Sequence, residues 1–283
     1  MSIYLYDKTS QEVSKRIALN YSTSFSLGIK LLGREFRNPV FSIYGMVRIA
    51  DEIVDTFHLW DQGRMIEEFE QETYRAIAEG ISTNPVLQAF QVVANQSGIG
   101  KNLIKPFFDS MKEDLDKGSH DSSSYQQYIY GSAEVVGLMC LKVFCKGDEV
   151  LYQKLEPGAK SLGSAFQKVN FLRDMGSDLE ERGRVYFPDV DFHNFTEKDK
   201  KEIEKDIQKD FDSAYQGILN LPKGCRKGVY TSYIYYKRLF NKIKRTKASD
   251  IGKSRIRVPN GEKIILLVRS SVREKFMTRN GKN

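Results

Sequence analysis

Residues Gln167 to Asp178 carry a polar stripe along a segment that is otherwise apolar. At about 100° per residue of helix, two amides and two carboxylates of this segment fall within roughly 80° of one another. They are Gln167, Asn170, Asp174 and Asp178. Leucine, valine and phenylalanine fill much of the remaining surface, so the helix that carries this stripe is expected to be largely buried. A buried stripe of this kind needs a polar partner.

Two interpretations of the stripe compete. Carboxylates four residues apart most often lie on a solvated helix face. Such a face normally interleaves lysine or arginine to relieve the repulsion between like charges, and no cation lies on this stripe. A hard divalent cation would instead bind both carboxylates, together with the amide oxygens of Asn170 and Gln167. The choice depends on whether a second acidic segment exists.

A second segment, from Pro39 to Phe57, repeats the pattern. Its stripe consists of Tyr44, Arg48, Asp51 and Asp55. The rest of this segment is even more apolar than the first. Burying carboxylates without partners is costly, so two such stripes in the most apolar helices indicate a common role. A metal ion shared between the two helices is the economical interpretation.

The ligand types restrict which metal this would be. A di-iron centre on facing helices relies on Glu-x-x-His pairs, and His58, His120 and His193 show no such spacing. Oxygen ligands alone favour Mg²⁺, which usually keeps waters and binds substrate phosphates. We do not expect a nucleotide bound by a P-loop, because the chain has no Gly-x-x-x-x-Gly-Lys sequence. The diphosphate of a lipid-like molecule suits an apolar helical interior better.

Apolar residues recurring at intervals of three and four predict helices along most of the chain. The predicted helices are 11–32, 39–57, 62–79, 85–96, 101–116, 125–144, 149–179, 197–219, 224–247 and 261–277. Only two short segments, 184–188 and 255–258, look extended, and neither is long enough to build a sheet. The sequence therefore predicts an all-α protein, and the absence of a break in composition favours one domain over residues 1–283.

Composition indicates a globular protein of the cytoplasm. Hydrophobic residues make up 40% and charged residues 29% of the 283 residues. The N-terminal sequence lacks a signal-peptide pattern, and we expect no apolar run of membrane-spanning length. Three cysteines without zinc spacing favour a reducing compartment. The formal charge of +7 is carried largely by residues 237–257, which most often would be a solvated helix face but would also suit nucleic acid, an anionic membrane or a phosphorylated substrate.

The two acidic motifs, Asp51-Glu-Ile-Val-Asp55 and Gln167–Asp178, resemble the aspartate-rich motifs of the squalene/phytoene synthases. Other landmarks of that family have counterparts along most of the chain. They are Ser22-Thr-Ser-Phe25, Ile43–Arg48, Tyr128–Gly137 and Arg184-Val-Tyr-Phe-Pro188. The resemblance implies a helical isoprenoid-synthase domain around a hydrophobic cavity, in which two prenyl diphosphates are joined head to head.

The resemblance also implies roles for individual residues. The implied Mg²⁺ ligands are Asp51, Asp55, Asn170, Asp174 and Asp178. The four aspartates among them are also the implied catalytic residues. The implied substrate contacts are Ser22, Ser24, Tyr44, Arg48, Tyr130, Gln167, Asn170, Tyr236 and Arg257. Mn²⁺ could replace Mg²⁺. Arg173 is expected to face elsewhere on its helix.

Within the family, the first motif looks like that of phytoene synthases, especially bacterial ones. The expected reaction converts two geranylgeranyl diphosphates through a cyclopropyl diphosphate into phytoene, the first step of carotenoid biosynthesis, and NADPH is not expected. Squalene or dehydrosqualene synthesis from farnesyl diphosphate is the alternative. A non-catalytic helical protein that binds nucleic acid or a membrane is more distant, and we expect no nucleic-acid partner. Peripheral contact with the inner face of the membrane is a minority hypothesis.

The sequence also departs from the family pattern. Tyr21 and Thr23 stand where some relatives carry histidine and lysine, and Glu134 stands where glycine is common in the helix that lines the tunnel. By helical angle Glu134 lies at the edge of the face that carries Tyr130 and Gly137, so it either protrudes into the tunnel or points to a neighbouring helix. These departures leave the chain length of the substrate open.

Overall fold

A computed structural model describes residues 2–116, 121–182, 186–188, 190, 194–253, 255–259 and 261–262, without the side chains of residues 116 and 177–182. The α-helices are α1 (Ile3–Tyr21), α2 (Thr23–Lys30), α3 (Arg34–Thr56), α4 (Gln62–Glu79), α5 (Pro85–Ser97), α6 (Lys101–Asp116), α7 (Ser122–Ile129), α8 (Val135–Cys145), α9 (Glu149–Arg182), α10 (Glu197–Asn220) and α11 (Lys223–Arg245). A π-helical turn, Tyr130–Glu134, joins α7 to α8. These residues include no β-strand, which confirms the all-α prediction.

Two predicted boundaries at the start of the chain are wrong. The helix predicted over residues 11–32 is divided at Ser22, whose backbone is extended and whose Oγ accepts a hydrogen bond of 3.2 Å from the Phe25 amide. A serine in this conformation caps a new helix, so the chain turns here instead of continuing. Helix α3 begins at Arg34 and runs through Pro39. The helix predicted over residues 261–277 lies outside the described residues beyond position 262.

The stretch from α7 through α8 tests the expectation that no apolar run could span a membrane. By length and composition Ser122–Cys145 is such a run, so that expectation is wrong for this stretch. However, 56% of its most apolar window is buried inside the protein, as in the core helix of a globular domain. It packs against α6 and α9. The same test finds no second candidate among the described residues.

Helices α9 and α10 form the most extensive pair, and their contact orients the second acidic motif. The buried ammonium of Lys168 lies 2.5 Å from Asp206 and 2.8 Å from Asp210, both on α10. The Ser164 hydroxyl donates to the same Asp210 carboxylate at 2.8 Å. Because Lys168 holds one side of α9 against α10, the stripe that contains Gln167 and residues 170 and 174 faces the opposite direction, toward the centre of the protein.

The backbones of α9 and α10 also touch each other directly. A Cβ atom added to Gly158 would lie 2.8 Å from the Cα atom of Gly217, and one added to Gly217 would lie 2.9 Å from the Cα atom of Gly158. Contacts under 3.0 Å to backbone atoms cannot be relieved by a rotamer change. Both glycines line the central cavity, so the close helix approach forms part of its wall.

We predict that Gly158→Ala destabilises the protein by about 1–3 kcal/mol, because the added methyl group forces two backbones apart. Thermal unfolding followed by circular dichroism would measure the loss. Gly63→Ala in α4 is the matched control, because its Cβ would meet only Asp61 Oδ1 at 3.7 Å. Because Gly63 is exposed in the first turn of α4, that change should alter the stability by less than about 0.5 kcal/mol. A Gly158→Ala variant as stable as the wild type would contradict the assigned contact.

Candidate active site

A cavity at the centre of the helices encloses about 1230 Å³ of space, part of it open to solvent. Its wall is formed by α2, α3, the π-turn and α8 to α11, and most of the lining side chains are aliphatic or aromatic. The polar exceptions are Tyr44, Ser132, Cys140, Gln167 and Ser232. The Gln167 amide donates to Ser132 Oγ at 3.3 Å. Gln167 is the first residue of the polar stripe on α9, so this pair marks where the cavity wall changes from apolar to polar.

Tyr236 on α11 connects the two acidic helices at that end. Its hydroxyl oxygen accepts a hydrogen bond from the side-chain NH2 group of Asn170 on α9 and lies close enough to Tyr44 of α3 to affect the pKa of Tyr44. The Tyr236 ring stacks on Phe166, with ring centroids 3.9 Å apart. One helical turn beyond Tyr44 and Asn170 come Arg48 of α3 and residue 174 of α9. The structure therefore brings the two predicted stripes to one end of the cavity.

Negative charge is concentrated around Asp51 in the first motif. Burial raises the pKa of Asp51 to about 7, Arg48 opposes the shift, and the nearby carboxylates of Asp55, Asp114 and Glu52 add to it. The Arg48 Nη1 atom lies 3.9 Å from Asp51 Oδ2, which is an ion pair beyond hydrogen-bond distance. The Asp51 carboxylate would therefore be stabilised by either a proton or a metal cation.

We call the polar end of the cavity, where Tyr44, Ser132 and Gln167 lie, its mouth, and Tyr44 is a neutral hydroxyl there. Burial raises its pKa to about 12, so it stays protonated at physiological pH. Its hydroxyl shares a hydrogen bond with Ser22, and its ring stacks on Phe25 with centroids 5.3 Å apart. Ser22 thus lies beside the mouth, in addition to capping α2. Ser24 is half-buried on the first turn of α2 and is not among the residues that line the cavity.

Two arginines hold Asp174 in the second motif. Arg173 Nε lies 2.9 Å from Asp174 Oδ1, and its Nη2 donates to Oδ2. Arg255 Nε lies 2.8 Å from Oδ1. The expectation that Arg173 faces elsewhere is wrong, because its long side chain reaches sideways around the helix to the neighbouring residue. The arginine from the C-terminal segment that contacts the motif is Arg255, whereas the sequence pointed to Arg257.

A glycine pair explains how Arg255 reaches α9. A Cβ atom on Gly176 would lie 2.0 Å from the carbonyl oxygen of Gly252, so only glycine allows this turn to pack on the motif. Val258 is buried and Ile256 packs against the core, which leaves residues 255 and 257 on the outer side of an extended segment. Gly176 therefore serves packing within the second motif. Because Arg255 and Arg257 lie on the same side of the extended segment, the alternation of side chains along it does not predict which of them contacts the motif.

The residues at this end of the cavity suit a divalent cation. The Asn170 Oδ1 atom is buried and has no hydrogen-bond partner, which is an unusual state for an amide oxygen. Carboxylate and amide oxygens are the ligands that Mg²⁺ prefers. Within the described part of the chain, no three acidic, histidine or cysteine side chains are close enough to ligate one ion. Asp178 lies on α9, and its side chain is outside the described residues.

Tyr130 and Glu134 do not line the cavity. The Lys160 ammonium lies 5.6 Å from the centroid of the Tyr130 ring, so this tyrosine faces the N-terminal half of α9. Burial raises the pKa of Glu134 to about 7, and Lys160 and Lys168 oppose the shift. The π-turn adds a residue to the helical turn and so rotates its faces, which places Ser132 toward the cavity instead. The predicted contact between Tyr130 and the substrate is therefore not supported.

Sequence reasoning missed Asp114, which lies beside aromatic residues of the recognised segments. Asp114 on α6 accepts a hydrogen bond of 2.8 Å from the Tyr128 hydroxyl and is one of the charges that raise the pKa of Asp51. Tyr186 stacks between Tyr128 and Phe171, so part of the predicted 184–188 loop packs beside the motif. Asp114 lies in a run of mixed charges that resembles a solvated helix face, so nothing in the local pattern distinguished it.

Several members of the basic C-terminal run are paired in the structure. Arg238 and Lys242 form ion pairs with Glu262, and Lys253 pairs with Asp250. Arg255 belongs to the candidate active site. These pairs reduce the positive charge that this run offers to an anionic membrane, and they support the interpretation of the helical part as an ordinary charged face.

Comparison with solved structures identifies the class of fold. A dehydrosqualene synthase crystal structure superposes with a TM-score of 0.82 at 19% sequence identity, and the match covers 97% of this chain and 99% of that one. At this identity the similarity establishes the fold alone. The protein therefore has the all-α fold of the isoprenoid synthases that make dehydrosqualene and squalene.

The family model for squalene/phytoene synthase matches residues 18–262, and the chain belongs to that family of prenyltransferases. A phytoene synthase from Arthrospira platensis is 27% identical, with 95% of this chain and 94% of that protein covered. The chloroplastic phytoene synthase of Daucus carota is 28% identical over 84% of this chain, and the match spans 66% of the plant protein. The match includes both acidic motifs, as the resemblance predicted.

The raised pKa of Asp51 predicts how pH and Mg²⁺ affect stability. Because the folded-state pKa of about 7 lies above the ordinary value of 3.8, metal-free protein should lose stability as pH rises from about 4 to 7. Mg²⁺ competes with that proton, so it should raise the melting temperature more at pH 8 than at pH 6. Differential scanning fluorimetry across this range, with and without Mg²⁺, would measure both effects.

The isosteric variant Asp51→Asn is the control for this prediction. It removes the negative charge that burial and the nearby carboxylates destabilise. At pH 8 the metal-free variant should therefore melt about 2–4 °C higher than the wild type. Its melting temperature should respond much less to Mg²⁺. Equal stabilisation of both proteins by Mg²⁺ would show that Asp51 does not bind the ion.

Proposed function

We propose that this protein is a phytoene synthase, which condenses two geranylgeranyl diphosphates head to head into phytoene at the start of carotenoid biosynthesis. The observation that carries the proposal is an apolar cavity with an acidic, arginine-bearing mouth formed by both motifs. Such a site binds a charged diphosphate at one end and a hydrocarbon chain inside. The core is continuous among the described residues, which supports our proposal of one domain over residues 1–283.

The mouth would hold Mg²⁺ between the two acidic helices. The proposed ligands are Asp51, Asp55, Asn170, Asp174 and Asp178. Bound Mg²⁺ would stabilise the negative charge of the departing diphosphate. Arg48 would bind the diphosphate from α3, and we assign the role predicted for Arg257 to Arg255, which lies at the motif. Tyr44 and Tyr236 would donate hydrogen bonds as neutral hydroxyls, since the pKa of each is raised by burial.

The cavity wall suits a reaction that passes through carbocations. The C–O bond of one substrate breaks with its electron pair going to the diphosphate, and the resulting allylic cation is attacked by a double bond of the second substrate. Loss of a proton gives a cyclopropyl diphosphate, which ionises again, rearranges and loses a second proton to give a hydrocarbon. Water would quench either cation to an alcohol, so an apolar wall protects the reaction.

The length of the prenyl chains distinguishes the two candidates. The names of the sequence relatives favour phytoene synthesis, whereas the dehydrosqualene synthase fold neighbour keeps synthesis from farnesyl diphosphate as the alternative. Along α9 the cavity wall extends from Leu155 to Gln167, which is roughly 18 Å of helix. A wall of this length supports the binding of a long prenyl chain.

Incubation of the purified protein with Mg²⁺ and either geranylgeranyl or farnesyl diphosphate, each with and without NADPH, tests the proposal. We predict a C40 triene-centred hydrocarbon from geranylgeranyl diphosphate without NADPH, identified by mass spectrometry. Mn²⁺ should support some of this activity. A C30 hydrocarbon from farnesyl diphosphate alone would favour the alternative, and absence of any hydrocarbon would contradict the proposed activity.

The Asp174→Asn variant is the control for this assay. It keeps the size of the side chain but removes the charge, so activity should fall at least about 100-fold, in line with loss of transition-state electrostatic stabilisation. Its helical circular dichroism spectrum should match that of the wild type. Unfolding of the variant would instead assign Asp174 a structural role through Arg173 and Arg255.

We infer that the enzyme acts in the cytoplasm and contacts the inner face of the membrane, where its substrates and product partition. Support comes from the loop after α3, in which Leu59 is 88% exposed and Trp60 is 64% exposed. Gln62 anchors this loop to the end of α3 by donating to the carbonyls of Ile53 and Val54. The loop therefore follows directly after Asp55, at the end of α3 that carries the first motif. Exposed tryptophan and leucine are typical of surfaces that enter the lipid interface.

Because Trp60 is the only tryptophan of the chain, its fluorescence reports this contact directly. We predict a blue shift of the emission on adding phosphatidylglycerol vesicles and a weaker one with Leu59→Asp, which places a charge beside the ring. Sedimentation with the same vesicles provides an independent measurement. Unchanged emission and no sedimentation at low salt would contradict membrane contact by this loop.

A further inference from the structure

Glu52 lies inside the first motif, between the two aspartates proposed to bind Mg²⁺, and has no role in the function proposed above. Its side chain is only 13% exposed, compared with 33% for Asp51. On α3 it is four residues after Arg48, the spacing at which two side chains meet on one helix face. The carboxylate closest to Arg48 is therefore that of Glu52 and not that of the neighbouring aspartate.

The contacts of Arg48 define its orientation. Its Nε and Nη2 atoms both donate to Glu52 Oε2, at 3.1 and 2.5 Å. The face of the guanidinium lies on the Tyr21 ring, with Cζ 4.4 Å from the ring centroid. A carboxylate at one edge and an aromatic ring at one face leave little freedom to a planar group. The remaining nitrogen, Nη1, is the one near Asp51.

The Glu52 carboxylate is itself held by several donors. Its partners are the side chains of Thr56, Arg48 and Tyr21. In contrast, the Asp51 carboxylate lies 3.9 Å from Arg48 Nη1, beyond hydrogen-bond distance. The Glu52 carboxylate is thus satisfied by protein donors, whereas that of Asp51 suits an external cation.

We propose that Glu52 and Tyr21 are positioning residues for diphosphate binding, which act by fixing the guanidinium of Arg48 so that its Nη1 edge faces the mouth of the cavity. This inference rests on the proposed function, in which Arg48 binds the diphosphate. A fixed guanidinium loses less side-chain entropy when the anion binds, so the affinity is higher than for a mobile arginine.

Whether diphosphate binding becomes weaker or stronger when the Glu52 charge is removed distinguishes a positioning role from a purely electrostatic one. Glu52 is an anion close to a site for an anionic ligand, so removal of its charge should by Coulomb's law strengthen diphosphate binding. Loss of the positioning of Arg48 should weaken it. A purely structural ion pair between residues at i and i+4 contributes little to stability and should not change diphosphate binding in either direction.

The test uses inorganic pyrophosphate with Mg²⁺ as the probe and isothermal titration calorimetry as the measurement. We expect Glu52→Gln to weaken binding on the order of tenfold, the loss that corresponds to about 1.4 kcal/mol. Glu68→Gln is the matched control, because Glu68 pairs with Arg64 at the same spacing on the exposed surface of α4. It should bind pyrophosphate as the wild type does.

A double-mutant cycle shows whether Glu52 acts through Arg48. The Arg48→Lys side chain cannot donate the same two-bond edge contact to Glu52, so Glu52→Gln should have little further effect in that background. Tyr21→Ala should weaken binding in the wild-type background, whereas Tyr21→Phe, which keeps the ring, should retain most of the affinity. Melting temperatures of all variants identify any that are unfolded.

Three results would overturn the inference. They are tighter or unchanged pyrophosphate binding by Glu52→Gln, an equal loss in the Arg48→Lys background, and an equal loss in the Glu68→Gln control. Pyrophosphate binding does not depend on which hydrocarbon is formed. The inference on Glu52 can therefore fail while phytoene synthesis is confirmed, and it can hold if the enzyme proves to use farnesyl diphosphate.

Discussion

The structure depends on how it accommodates carboxylates at the edge of an apolar interior. Both motif helices, α3 and α9, place acidic side chains one or two turns beyond residues that line the cavity. Charges in such positions are poorly solvated, and each like charge nearby adds to the cost. The raised pKa of Asp51 is the visible result. A cation near the mouth, whether arginine or metal, stabilises these poorly solvated carboxylates.

The two motifs meet this constraint in different ways. In the first motif Glu52 takes the close contact with Arg48, and Asp51 is left 3.9 Å from the same guanidinium. In the second motif Asp174 is held by Arg173 and by Arg255 from a distant segment. The first motif therefore gains most from an added cation. The second motif already has two arginines beside its carboxylate. A bound diphosphate would compete with Asp174 for these arginines.

Sequence patterns predicted the parts of this site that lie on regular helices. The stripes on α3 and α9 follow from the 100° spacing, and in the structure Tyr236 lies near Tyr44 of one stripe and Asn170 of the other. Tyr130 was misplaced because a π-turn changes the spacing, and no propensity rule signals where one extra residue enters a helix. The division of the first helix at Ser22 was readable in principle, because serine is a favoured N-cap, but the apolar period continues across it.

Contacts between segments far apart in sequence could not be predicted in this way. Arg255 and Arg257 lie on the same side of an extended segment, so only the packing of Gly252 on Gly176 decides which of them reaches Asp174. Asp114 likewise approaches Asp51 from another helix. Gly176 nevertheless had a recognisable place within the second motif. Its lack of a side chain allows the C-terminal segment to touch α9, so a residue that binds nothing determines which arginine reaches the acidic site.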